Sequence, residues 1–441
     1  MAGKRIGIRR EDKSELERRA PLTPPDVADL IAEHDLSFTV QPSPVRVFTD
    51  QEYREAGATL SNDLSECDLI VGIKEVPLDS LVPGKPHLFF SHTAKGQSYN
   101  MPLLAKILKD KITLIDYELV KDDRGMRLIA FSFQAGQAGM VNSLWSLGQR
   151  WLAKGMKTPF AMLKQARMYE GGLPEIREVL REVGDEVRSQ GLPEACTPLI
   201  ISITGEGRVA AGAHDLLDEL RPVTITPEKL LDEEYIASLS QKQVYSVSFH
   251  MADFLERVSG EAGFSLDEYL QHPELYRSKF TAYLPYLTAL VNGIYWDDRF
   301  PKLVTLDDVA NLFAENDPKL QVIGDVTCDV GGSIETTIKA TLPDDPVFVY
   351  DPATGDTVDG FEGNGLQMMT VDILPTEIPR ESSAHFGSVL KSHLAEVAKA
   401  DFSQTLSATG LPPEFIPAVI AHKGALTPEF EYLQSYLDQN G

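Results

Sequence analysis

Leu199-Ile200-Ile201-Ser202-Ile203-Thr204 runs straight into Gly205-Glu206-Gly207-Arg208-Val209-Ala210-Ala211-Gly212, and Leu216-Leu217 follow. The first six residues have the apolar character of a buried strand, the glycines mark a turn, and the residues after them are spaced as an amphipathic helix. A strand, a glycine turn and a helix in that order bring backbone N–H groups and a positive helix end up to a pyrophosphate. Gly205 permits the turn, Gly207 permits the close approach, and Ala210 stands for a third glycine where the helix meets the strand. Nearly half of the chain precedes this motif and needs a structure of its own. The expected fold is therefore α/β, with a nucleotide-binding domain inserted into a discontinuous first domain.

With 441 residues, 43% of them hydrophobic, the chain exceeds the usual size of a single core, so two domains are expected. The formal net charge of -25 comes with no basic run, which argues against a nucleic-acid partner, whose phosphates need Lys and Arg. Cys67, Cys196 and Cys328 are too few and too scattered for a disulfide framework, and none has a paired metal-ligand spacing. A cytoplasmic location and no metal are expected. The start, Met1-Ala2-Gly3-Lys4-Arg5, leads into Ile6-Gly7-Ile8 without a signal-type apolar core, and no stretch approaches transmembrane length, so no membrane role is expected.

Helix and strand periods alternate through the first third of the chain. Thr23 caps a helix opened by Pro24, with Asp26 in capping-box spacing and Val27, Leu30 and Ile31 on one face. Short apolar runs at 38–40, 69–73, 88–90 and 112–115 predict strands, and 101–108 predicts a helix. Ala135-Gly136-Gln137-Ala138-Gly139 precedes a helical face of Met140, Leu144, Leu147 and Trp151, and this helix reads as a hinge between domains. A charged helix over 174–190 leads to the nucleotide strand. Strands are expected at 287–295, 322–326 and 347–350, a long loop or crossover over 351–365, and a tail from Leu374 that returns to the first domain in a helix from Phe386. The first domain is thus set at 1–140 plus 366–441, and the dinucleotide domain at 141–365.

Ligands of doubly wound sheets sit at the carboxyl ends of strands, where Lys74 and His92 fall. A desolvated lysine has its pKa lowered toward the range for proton transfer, although Lys74 also reads as a solvated strand-end lysine held by Glu75. His92 reads equally as a structural histidine. Arg18 and Arg19 precede the capped helix, where a guanidinium can fork a substrate carboxylate or simply pair with Glu15 or Glu17 on the surface. Glu118 and Arg127 add a carboxylate and a guanidinium near the same sheet edge. Asp325 and Asp329 bracket Val326-Thr327-Cys328 at a strand end of the nucleotide unit, facing a nicotinamide or capping a turn. The ribose of NAD is usually bound by an acidic residue about 20 positions beyond the glycines; here Thr226 stands there and Glu228 just after. Arg208 could reach a 2′-phosphate, so NAD and NADP both stay open.

In this order the residues resemble the lysine-2-oxoglutarate reductase half of the saccharopine-pathway enzymes, relatives of the lysine-forming saccharopine dehydrogenases and, more remotely, of alanine dehydrogenase and transhydrogenase. The blocks are Arg9-Arg10-Glu11-Asp12, Glu17-Arg18-Arg19-Ala20-Pro21-Leu22, Gly72-Ile73-Lys74, Phe89-Phe90-Ser91-His92-Thr93, Leu114-Ile115-Asp116-Tyr117-Glu118 and Ala135-Gly136-Gln137-Ala138-Gly139-Met140. They continue through Thr204-Gly205-Glu206-Gly207, Asn292-Gly293-Ile294-Tyr295-Trp296 and Gly331-Gly332-Ser333-Ile334-Glu335.

The resemblance implies an NAD(P)(H)-dependent enzyme of lysine metabolism that condenses L-lysine with 2-oxoglutarate and reduces the imine to saccharopine, or runs in reverse. It implies Lys74 and His92 as the acid-base pair, Arg19, Glu118 and Arg127 on substrate, and Gly205, Glu206, Gly207, Arg208, Val209, Thr226 and Asp329 at the cofactor. It also implies a stand-alone reductase half, with a homo-oligomer as one assembly. Val209 stands where fungal lysine-forming enzymes have a cysteine in the glycine loop, so redox control there is not expected. The rival readings are an alanine dehydrogenase-like enzyme and a dinucleotide-binding sensor without catalysis.

Overall fold

The computed structural model describes residues 3–314 and 318–440; Met1 and Ala2, at the start of the stretch read for a leader, lie outside them. The chain divides into one unit of Met1–Phe131 with Pro379–Gly441 and a second of Ser132–Ile378. The nucleotide motif therefore sits in an insertion, with both boundaries shifted from those expected. The α4 helix, Ser132–Ala153, runs unbroken through residue 140, and a strand at Leu366–Met369, expected in the first domain, is hydrogen-bonded within the second sheet.

The first unit supplies β1 (Lys4–Ile8), α1 (Pro24–Glu33), β2 (Leu36–Val40), α2 (Asp50–Glu55), β3 (Thr59–Leu60), β4 (Leu69–Val71), β5 (Pro86–Phe89), α3 (Met101–Lys109) and β6 (Thr113–Asp116). Thr23 forms the capping box read from the sequence: Thr23 Oγ1 accepts from the Asp26 amide, and Asp26 accepts from the Thr23 amide at 2.9 Å. The second unit continues with α4, α5 (Leu173–Gln190), β7 (Leu199–Thr204), α6 (Arg208–Leu217), β8 (Val223–Thr224), β9 (Val244–Phe249), β10 (Leu255–Arg257), β11 (Tyr276–Ser278), β12 (Ala289–Asn292), β13 (Val322–Asp325), β14 (Val347–Tyr350), β15 (Thr357–Asp359) and β16 (Leu366–Met369). The first unit then closes with α7 (Pro379–Lys399), β17 (Val419–His422) and β18 (Ala425–Leu426).

In the first sheet the order is β18-β17-β6-β5-β4-β1-β2-β3. The strands β1 to β6 are mutually parallel and β17 runs antiparallel to β6. All four β5 residues are buried, as expected for a parallel strand covered on both faces. The second sheet has the order β15-β14-β16-β13-β12-β7-β9-β8, parallel except for β14, which runs antiparallel to both β16 and β15, while β10 and β11 form a separate hairpin. The stretch 351–365, expected as a loop or crossover, contains β15 paired back onto β14. Arg150 of α4, fully buried, holds its far side by donating to the carbonyls of Phe361, Gly363 and Gly365 at 2.6, 2.9 and 2.9 Å.

The glycines at 136 and 139, expected just before the helix read as a hinge, lie inside α4 and are packing positions. A Cβ on Gly136 would stand 1.9 Å from the Val209 carbonyl oxygen, and one on Gly212 of α6 would stand 1.9 Å from that of Phe133. The two helices thus cross at backbone contact, which no larger residue permits. This crossing fixes the start of α6, and with it the glycine turn, against α4.

Glu377, buried at the end of the second unit, accepts from Gln165 Nε2 at 2.8 Å. Burial raises its pKa to about 7, outweighing the hydrogen bonds from Asn142, Gln165 and the Arg167 amide. The fold therefore keeps a proton that the unfolded chain releases above its ordinary value of 4.5, so stability is lost as pH rises from there through about 7. Thermal unfolding should show this loss, on the order of 3 kcal/mol between pH 5 and 8. In Glu377→Gln that slope should flatten, and an unchanged slope would remove Glu377 as its source.

Candidate active site and dinucleotide turn

In the first unit the polar residues gather at the carboxyl ends of four adjacent strands, β6, β5, β4 and β1. Just past β1, the buried Glu11 carboxylate accepts from the amides of Ile73 and Lys74 at 2.8 and 2.9 Å, which fixes the backbone that presents Lys74 beyond β4. Arg9 lies 3.5 Å from Glu11 and also pairs with Asp12. Lys74 is not the solvated lysine of the plainer reading. Burial and then the positive charge of Arg19 lower its pKa, against the pull of Glu17 and Glu75.

Glu75 does not hold Lys74; it bonds His92 and Lys13. His92 Nδ1 is 2.6 Å from Glu75 Oε1, and Lys13 Nζ is 2.8 Å from Oε2. Burial pushes the Glu75 carboxyl up, but the bonds from His92 and Lys13 outweigh it and hold its pKa at about 2. An ionised Glu75 makes Nδ1 the donor, which leaves Nε2 as the nitrogen for proton transfer. His92 adopts a left-handed backbone, φ 52°, and its ring stacks on Phe90 with an interplanar angle of 14°. A non-glycine residue in this region is a strained position of the kind found at functional sites.

Arg19 is 3% exposed, and its pairing with Glu17 is buried, not a surface bridge: Nε donates to Oε1 at 2.7 Å and Nη2 to Oε2 at 2.5 Å. Its guanidinium lies 4.2 Å from the Phe131 ring centroid, and Phe131 stacks on Phe386. Arg18 is exposed. Glu118 and Arg127 are joined to each other at 2.7 Å. Asp116, buried at the end of β6, accepts from Ser91 Oγ at 2.5 Å, from the Ser91 amide at 3.0 Å and from the Glu118 amide at 2.8 Å, tying the β5 and β6 ends together. Glu75, Glu11 and Asp116 are the residues missed in the sequence; the adjacency of Glu75 to Lys74 was the available signal.

In the second unit Gly205 has φ 110°, and a Cβ there would stand 2.9 Å from the Gly293 carbonyl, so the turn requires glycine. A Cβ on Gly207 would meet no atom of the protein within 4 Å. That open approach, at the N-terminus of α6, fits a pyrophosphate. Val209 packs beneath it against Gly293, while Glu206 and Arg208 are exposed. Of the two aspartates near β13, Asp325 is the buried one. It is consumed by Asn292 Nδ2, Thr327 Oγ1 and Thr337 Oγ1 at 2.9, 2.7 and 2.6 Å, whereas Asp329 is exposed. Thr226 lies past the end of β8, the outermost strand, and β9 stands between β8 and β7. The sequence reading had no strand at 244–249, although Val244, Val247 and Phe249 with intervening serines carry a strand-like pattern.

Residues 7–138 match the family Alanine dehydrogenase/PNT, N-terminal domain. An L-alanine dehydrogenase structure superposes with a TM-score of 0.61 at 18% identity, covering 98% of this chain and 99% of that one. A transhydrogenase from Sinorhizobium meliloti gives 0.51 at 14% identity, covering 97% and 100%. The fold is thus like that of these two proteins, two doubly wound units with Rossmann-type sheets. The alpha-aminoadipic semialdehyde synthase of Arabidopsis thaliana is 39% identical over 97% of this chain, and that of Bos taurus, named mitochondrial, is 37% identical over 97%. This chain spans 41% and 47% of their lengths. The saccharopine dehydrogenase [NAD(+), L-lysine-forming] of Yarrowia lipolytica is 26% identical over 90% of this chain and 93% of its own. Nearly the whole chain is thus similar to these lysine-forming saccharopine dehydrogenases and to one segment of the alpha-aminoadipic semialdehyde synthases.

The site predicts a lysine that titrates early. Acetylation of Lys74, followed by peptide mass spectrometry across pH, should reach its half-maximal rate below the pH found for the exposed Lys399. Glu17→Gln should move that midpoint lower still, because it removes an opposing charge. A Lys74 midpoint equal to that of Lys399 would contradict the burial argument.

Proposed function

We propose that this chain is an NAD(P)(H)-dependent oxidoreductase that joins the ε-amine of L-lysine to the 2-oxo carbon of 2-oxoglutarate and reduces the resulting imine to saccharopine, or runs the reverse reaction. The observation that carries this reading is the pairing, on adjacent strand ends, of a lysine with a depressed pKa and a histidine oriented by Glu75. Attack of a neutral amine on a carbonyl, loss of water and protonation of the product amine each move a proton near neutral pH, and two such groups suit that work.

Lys74, with its ammonium form disfavoured by burial, takes a proton from the attacking nitrogen, and it shares with His92 the delivery of protons to the departing oxygen. Glu75 keeps the imidazole in one tautomer throughout. Arg127, about half exposed, and Glu118 form an exchangeable pair. A substrate carboxylate replaces Glu118 on the guanidinium, and the released Glu118 turns to the substrate amine. Arg19 is held flat by Glu17 and Phe131 and positions a second carboxylate through its remaining nitrogen. A nicotinamide dinucleotide, when bound, supplies the hydride; Gly205, Glu206, Gly207, Arg208 and Val209 would hold it, with Asp329 near it. For the compartment the reading is the cytosol, which fits the three free cysteines.

Oxidation of NADH or NADPH should require L-lysine and 2-oxoglutarate together. Turnover with pyruvate and ammonia in their place would move the chain to the alanine dehydrogenase-like reading, and cofactor binding without turnover on any amine and oxo-acid pair would make it a sensor. Lys74→Met should lower kcat at least about tenfold with cofactor affinity retained. Wild-type turnover in that variant would remove Lys74 from the chemistry.

A further inference from the structure

Four lysines, Lys4, Lys85, Lys111 and Lys423, line a cavity of about 580 Å³ whose whole lining belongs to the first unit. Lys4 opens β1, Pro86 opens β5 and Thr113 opens β6. The cavity therefore lies at the amino ends of the strands, at the opposite sheet edge from Lys74 and His92. Its volume falls within the range of small-molecule sites, about 300–1,000 Å³.

Two of these lysines stand where the backbone favours another residue. The helix α3 ends in a Schellman motif, in which the Lys111 amide donates to the Leu108 carbonyl at 3.1 Å and the Ile112 amide to that of Ile107 at 3.0 Å. Lys111 thereby takes the left-handed position after the helix, φ 55°, that glycine or asparagine usually fills. Lys423 and Gly424 form the two-residue turn between β17 and β18, with φ of 52° and 89°. Positive φ at both positions is the type I′ pattern, whose first residue is usually asparagine, aspartate or glycine. Two separate turns thus accept strain to place an ammonium at one cavity, and functional sites are where such strain is retained.

In a chain with a formal net charge of -25, carboxylates are plentiful enough to pair every lysine. Yet Lys4, Lys85 and Lys111 make no side-chain hydrogen bond or ion pair among the described residues, and Lys423 donates to the Ser403 carbonyl. The two carboxylates of the lining are engaged locally. Asp68 accepts from the Arg5 amide at 2.9 Å, and Asp401 accepts from Ser403 Oγ, the Ser403 amide and Gln404 Nε2 at 2.6, 3.0 and 3.1 Å. His422 holds that loop against the sheet, with Nε2 at 2.9 Å from the Gln404 carbonyl and Nδ1 at 2.9 Å from Thr113 Oγ1.

We propose that this cavity is a binding site for a small anion bearing at least two phosphate charges, held by Lys4, Lys85, Lys111 and Lys423. Four ammonium groups with no guanidinium in the lining are point charges, which meet phosphate oxygens in any orientation, whereas a planar carboxylate is matched better by an arginine fork. The bound anion neutralises a cluster of like charges and ties the loop at 400–403 to the starts of β1, β5 and β6. None of these residues belongs to the glycine turn, so the site stands apart from the dinucleotide reading.

The test uses inorganic pyrophosphate, with citrate beside it, and follows acetylation of single lysines in the full chain by peptide mass spectrometry. Pyrophosphate should half-protect Lys85 and Lys111 at about 1 mM or below, while the exposed Lys399 reacts as before. Citrate should need at least about ten times that concentration. Lys111→Asn should raise the pyrophosphate concentration that half-protects Lys85 at least about tenfold, without lowering the melting temperature, because asparagine suits the left-handed position. Lys85→Gln, which breaks no side-chain bond, should weaken the protection of Lys111 in the same way. Equal protection of Lys399, or half-protection unchanged in both variants, would overturn the site. Citrate acting at as low a concentration as pyrophosphate would overturn its assignment to phosphate.

Discussion

Parallel strands that end together leave polar groups crowded at one edge of the sheet, and in both units buried carboxylates satisfy them. Glu11 bridges from β1 to the amides after β4, Asp116 bridges from β6 to Ser91 after β5, and Asp325 accepts from Asn292 at the neighbouring end of β12. Burial pushes all three carboxyls above their ordinary pKa. Each is kept in place because the donors it satisfies would otherwise be buried and unpaired, at a cost of about 1–3 kcal/mol apiece. The functional side chains come from the same short segments. Lys74 leaves the backbone that Glu11 clamps, His92 follows the Ser91 that Asp116 holds, and Thr204, just before the glycine turn, bonds the Asn292 that Asp325 binds.

The same arrangement explains why few of the charged residues at the site are free. Arg19 is paired with Glu17, Arg127 with Glu118, and His92 with Glu75. An acidic chain supplies an internal carboxylate for each of these three cations, and in the proposed reaction a substrate bearing carboxylates and amines would exchange with those partners one by one. Lys74 differs, since burial and the charge of Arg19 together lower its pKa, against the pull of Glu17 and Glu75. That is the electrostatic setting a proton acceptor for an amine requires.

Much of the fold was legible because its signals are local. The capping box of Thr23 and Asp26 spans four residues, the β7 run is continuous and mostly apolar, and the glycine turn follows it without a gap. What stayed hidden depends on distant partners. Gly136 and Gly212 are needed only because two helices cross there, so in sequence they resemble a flexible stretch. The β15 strand is three residues long and mostly exposed, so nothing apolar marks it inside 351–365. Residues 347–350 read correctly as a strand, but the antiparallel direction of β14 is set by its pairing with β16. At the site, Lys74 and His92 were visible as strand-end residues, whereas Glu75 meets His92 across 17 positions and two strands. Thr226, expected near the ribose from its spacing to the glycines, follows β8, and the order of the sheet, in which β9 stands between β8 and β7, is set by distant pairing.

The proposed reaction needs both proton transfer and a hydride donor, and its product records both. Dinucleotide carrying deuterium at the transferable nicotinamide position, incubated with the chain, L-lysine and 2-oxoglutarate, should yield a secondary amine with one deuterium on the carbon that was the 2-oxo carbon. It should form only when both substrates are present. Loss of label from the dinucleotide without that labelled amine, or the absence of any condensed product, would contradict it.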